Sequence, residues 1–133
     1  MTKVYVPQNV GGAYERIAAN PASPWVPVGD FLDDWRRTDL SARPNLVANG
    51  PDLSHATSLE MTRWGAFLAA AVEWLCRNDG LAFPSWTADR ATFLVDPWFL
   101  YPGDLLRPWQ LATTPTPFRM RNIFGGDRVL DRV

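Results

Sequence analysis

TSLEMTRWGAFLAAAVEWLCRNDG, residues Thr57 to Gly80, decides the fold. Thr57 and Glu60 have capping-box spacing, in which each side chain satisfies a backbone N–H left without a partner at the helix start. Gly80 stands where a helix ends in the left-handed conformation that other residues avoid. Between them, Met61, Trp64, Leu68, Ala71, Val72 and Leu75 make one apolar stripe. Phe67 and Trp74 widen it on one flank, and Gly65, Ala69 and Cys76 on the other. Only a strip through Thr62, Arg63, Ala66, Ala70, Glu73 and Arg77 is expected to face water. A helix apolar over most of its circumference is gripped from several sides in a core. Its charges interrupt it too often for a membrane span.

Around that helix, 133 residues suffice for one domain that buries roughly two thirds of its unfolded surface. An apolar content of 47% and a charged content of 20% are those of a globular chain rather than a disordered one. Seven tryptophans and twelve prolines are many for this length. Large rings supply core area that short, proline-broken helices could not assemble alone. The net charge of −1 argues against broad attraction to nucleic acid or anionic lipid. Cys76 is the sole cysteine, so no internal disulfide forms, and it reads as a small core hydrophobe. Lys3 is the only lysine among thirteen basic residues, an arginine bias that fits a GC-rich genome. No basic stretch followed by an apolar run opens the sequence, so a cytoplasmic protein without a signal peptide is expected.

Toward the N-terminus, VYVPQNV alternates like a strand, but Pro7 restricts it to an edge or an extended arm. Gly11-Gly12 precede AYERIAAN, a short amphipathic helix. PASPWVPVG, with Pro21, Pro24 and Pro27, reads as a rigid extended connector from which Trp25 plugs into the core. A helix is expected from Val28 to Thr38, with Phe31, Leu32 and Trp35 inward and Asp33, Asp34, Arg36 and Arg37 facing away. Residues 39–56 read mainly as loop, with a turn of helix near Arg43–Asn49.

Toward the C-terminus, LAFPSWTAD is a proline turn with Phe83 and Trp86 directed inward. ATFLVDPWFLYPG is extended, because a proline after Asp96 disfavours helix there. Its rings Phe93, Trp98, Phe99 and Tyr101 are expected to pack across the central helix. A short helix restarts at Pro108. Thr116 and Pro117 read as the N-cap and first residue of a helix running to Phe124, stopped by Gly125-Gly126. Together these readings predict an all-α domain of about four to six short helices around a buried central one. Long aromatic and proline-rich connectors join them. Residues 1–24 form an N-terminal arm and short helix, and residues 25–133 the helical core.

No residue pattern assembles a reaction centre. His55, the only histidine, sits in a polar loop with no second ligand or nucleophile beside it. Asp30, Asp33 and Asp34 could hold Mg²⁺ in a small enzyme, but acidic residues early in a helix are already favoured by its dipole. Neither Gly-Gly pair has the third glycine or lysine of a phosphate loop. Arg107, Arg119, Arg121, Arg128 and Arg132 give the last third a basic bias, which suggests a nucleic-acid-binding accessory protein as an alternative function. No helix-turn-helix pattern accompanies them.

The order WVPVGDFLDDWRR, RWGAFLAAAVEWLCRNDGLAFPSW, FLVDPWF and LATTPTPFRMRNIFGGDRVLDRV resembles a family of small bacterial proteins common in actinobacteria. The likeness extends over most of the chain from about Trp25. Its sharpest mark is Thr-Pro-x-Phe-Arg-x-Arg-Asn-Ile-Phe, carried by Thr116 through Phe124 with no residue between Pro117 and Phe118 and with the arginines at 119 and 121. Members look like the non-enzymatic partner in toxin–antitoxin cassettes, beside a nucleotidyltransferase-like toxin, and often carry an additional helix-turn-helix domain. The resemblance implies an antitoxin-like protein-binding module, with no cofactor, no metal and no membrane association. Trp98, Phe99, Phe118, Arg119, Arg121 and Asn122 are the expected contact residues, with Arg119, Arg121 and Asn122 outward. Closure of the core is the other role open to them.

Overall fold

Helix α4 (Leu59–Asn78) is the longest element and lies in the second of two compact units, Met1–Pro51 and Asp52–Val133. The computed structural model describes residues 5–56 and 58–131, with His55 in its backbone only. Thr57, Lys3 and Arg132 lie outside the described residues. The cap of α4 is Ser58, one residue beyond the expected one. Its Oγ accepts from the Met61 N–H at 3.1 Å. At the other end Gly80 has φ +69°, as expected. The Gly80 N–H donates to the Arg77 carbonyl and the Leu81 N–H to that of Cys76, which together close the last turn.

The strip of α4 expected to face water is largely covered. Ala66 and Ala70 are fully buried and Glu73 is 8% exposed. The cause is that α6 (Thr116–Arg119) and the 3₁₀ turns Ser85–Ala88 and Arg90–Thr92 all pack on α4. Alanines let those backbones approach closely, so the apolar stripe continues where side-chain size alone suggested solvent.

The unit is mostly helical, though not strictly all-α. Trp98–Phe99 (β1) pairs in parallel with Ile123–Phe124 (β2), in the register Trp98↔Ile123 and Phe99↔Phe124. The expected helix to Phe124 stops at Arg119, and its cap is Pro115 with Thr116 as the first helical residue. Asn122 takes φ +62°, which ends the turn and releases Ile123 and Phe124 into extended backbone. Helix α5 (Arg107–Thr113) lies between the strands in sequence. The Thr114 hydroxyl accepts from the Gly125 and Gly126 N–H groups after β2. Gly126 has φ +80° and lies under the Trp109 ring, which leaves no room for a β-carbon.

In the first unit, α1 (Val10–Ala19) packs on α2 (Trp25–Arg37) and α3 (Arg43–Val47). Helix α1 begins before the glycine pair, with Asn9 capping it through Gly12 N–H at 2.6 Å. Helix α2 begins at Trp25 rather than Val28. Pro27 falls in its first turn, where a missing N–H breaks no helical bond. Trp25 is 46% exposed and does not plug the core, and Phe83 in the second unit is likewise half-exposed. Phe31, Leu32 and Trp35 are buried as expected. Asp34 is buried with them instead of facing away. Among the described residues no helix is long and apolar enough to cross a membrane.

Candidate functional site

The motif at 116–124 is built around a buried charge. Arg121, expected to point outward, is fully buried. Its Nη1 donates to Glu73 Oε1 at 2.8 Å and to the Pro117 carbonyl at 3.0 Å. Its Nη2 donates to the Thr87 carbonyl at 2.6 Å. The guanidinium also lies 4.4 Å from the centroid of the Phe93 ring. Thr87 Oγ1 stands 3.1 Å from Glu73 Oε2, so both carboxylate oxygens have a polar neighbour. Arg121 Nε has no hydrogen-bond partner among the described residues. An ion pair so enclosed ties α4, the 3₁₀ turn at Ser85–Ala88 and the end of α6 to one another.

Phe118 is also fully buried, its ring 5.3 Å from that of Phe67. Trp98 is partly exposed and meets Trp64 edge-on at 5.2 Å, with the Arg63 guanidinium 5.5 Å from its centroid. Phe99 stacks on Phe124 at 5.1 Å, and Arg107 covers it at 4.8 Å. Asn122, expected outward, is half-buried and turned onto the preceding segment. Its Nδ2 donates to the carbonyls of Leu94 at 2.8 Å and Val95 at 3.2 Å. The Leu94 N–H donates to the Arg121 carbonyl, and the Trp98 N–H to that of Asn122. Of the six expected contact residues, Arg119 alone is fully at the surface, beside Met120 at 55% exposure.

Glu73 and Thr87 belong to this arrangement and were not singled out from sequence. The available signal was Glu73 itself, one carboxylate inside a run of alanines and large apolar residues, where a buried charge calls for a buried partner. Nothing in sequence identified Arg121, rather than Arg119, as that partner.

Burial, reinforced by Asp79 and Glu73, pushes the Cys76 thiol up to about 11, so it is not a thiolate at neutral pH. In the first unit the three aspartates do not form a site of their own. Asp30 pairs with Arg16 at 2.8 Å, and Asp34 accepts from Tyr5 Oη and from the Gln8 N–H at 2.7 Å. The groove of about 310 Å³ that these side chains border is therefore laced with internal bonds. Among the described residues no group of three or more His, Cys, Asp or Glu is placed to hold a metal ion.

Comparison with known proteins finds no matching family model, no matching curated protein and no matching solved structure.

Proposed function

We propose that this chain is a cytoplasmic, non-enzymatic protein-binding module, acting as the antitoxin-like half of a bacterial cassette whose toxin is encoded by the neighbouring gene. The observation that carries this reading is a division of labour in the Asp52–Val133 unit. Its buried ionic groups are consumed by each other, as with Arg121 and Glu73. Large apolar side chains are meanwhile left at the surface. Val95 is 92% exposed, and Met120 is 55% exposed beside the exposed Arg119. Apolar groups next to arginine are what protein partners use as anchors.

In this reading Phe118, Arg121 and Asn122 are supports, and contact falls to Trp98, Phe99 and Arg119. Neutralisation is steric, the module covering the substrate cleft of its partner. The test is size-exclusion chromatography of the purified chain mixed with the product of the adjacent open reading frame. Coelution as one complex is expected, and two separate peaks would remove the proposal.

A further inference from the structure

A groove of about 180 Å³ opens between α4 and the segment that the 116–124 motif holds in place. One wall is Leu59, Thr62 and Arg63 of α4, and the other is residues 93–96. Leu59 is 63% exposed and Val95 almost entirely so, which gives the groove an apolar lip. Its charges are one of each sign. Arg63 is held against the Trp98 ring, and Asp96 is exposed at the other wall. Among the described residues neither has an ion-pair partner.

The motif builds this wall. Asn122 holds the Leu94 and Val95 carbonyls, Arg121 lies over Phe93, and the Arg121 carbonyl takes the Leu94 N–H. Size then narrows the occupant. Pockets for small ligands and cofactors run from about 300 to 1,000 Å³, so this groove is too small for a nucleotide and suits a single side chain. The opposed charges narrow it further, because a segment that satisfies both must present opposite signs around its apolar anchor.

We infer that the groove receives a segment of the partner protein with one apolar side chain flanked by a carboxylate for Arg63 and a basic group for Asp96. This rests on the protein-binding reading above and gives it a location. Trp98 backs the Arg63 guanidinium, and Asn122 is a positioning residue for the Val95 lip.

The experiment measures affinity between the full chain and the neighbour-encoded protein, with melting curves recorded for every variant. Val95→Asp and Arg63→Glu are each expected to weaken the complex by about tenfold or more. Asp96→Lys acts in the same direction, whereas Leu105→Asp, an equally exposed position outside the groove, leaves affinity within about twofold. Arg63→Gln serves as a second variant should Arg63→Glu lower the melting temperature. A complex that keeps full affinity in Val95→Asp and Arg63→Gln would overturn the groove and leave the protein-binding reading standing. Loss of affinity in Leu105→Asp alone would do the same. No complex with the unaltered chain would overturn both.

Discussion

Arg121 keeps its charge where water does not reach, so its worth to the fold depends on Glu73. Replacing it with methionine strands a buried carboxylate, and such changes cost about 3–5 kcal/mol. Removing both charges together, as in Glu73→Leu with Arg121→Met, leaves neither stranded. The double variant is expected to recover most of the lost stability in urea denaturation. A single variant that loses under about 1 kcal/mol would mean that the pair contributes no more than a surface bridge. Tyr5 offers a second test at this scale. Its hydroxyl donates to the buried Asp34 carboxylate, and that bond, with slight desolvation and the Asp34 charge, raises its pKa above the ordinary value of 10.0. The neutral phenol is the bound form, so the contact is complete below pH 10 and is lost as pH climbs through the raised value. Ultraviolet titration should therefore show Tyr5 ionising late, and Tyr5→Phe should remove one tyrosine's worth of absorbance change from the late part of the curve.

At the scale of elements, Asn122 decides where helix gives way to strand. Left-handed backbone costs most residues about 1–2 kcal/mol, and asparagine less. Asn122→Gly keeps that conformation and loses only the bonds to the Leu94 and Val95 carbonyls, an expected loss of about 1 kcal/mol. Asn122→Ala loses the bonds and strains the turn, and should cost about 1–2 kcal/mol more in the same denaturation series. Equal losses would mean that φ +62° matters little to this turn. The same residue explains why the sequence misled here. Thr-Pro followed by Phe at 118 is a sound helix start, and α6 does form, but it ends at Arg119, and Asn122 beyond it turns left-handed and bonds across to the Leu94 carbonyl. Helix α4 was legible because periodicity and Gly80 are local signals. The start of α2 at Trp25 was hidden because prolines read alike in a connector and in a first helical turn. The candidate site was legible as a motif and not as an orientation. Alternation could not tell Arg119 at the surface from Arg121 in the core, since that depends on Glu73, far away in the chain.

For the whole molecule, charge is the property that separates a protein partner from a nucleic-acid one. Thirteen basic residues face fourteen acidic ones, and the basic bias of the last third is spent partly inside the fold. Arg121 is buried against Glu73, and Arg107 lies over Phe99 with Asp104 at 3.6 Å. Phosphate binding gains from releasing counterions in proportion to the cations brought to the backbone, which makes it fall steeply with salt. A chain with no net positive charge has little such gain to offer. Fluorescence anisotropy with a labelled DNA duplex is therefore expected to show no saturable binding at physiological salt. The complex with the neighbour-encoded protein should weaken only modestly over the same salt range, because an apolar anchor with one pair of opposite charges carries little counterion release. Duplex binding that is tight at low salt and collapses as salt rises would shift the functional assignment to nucleic acid.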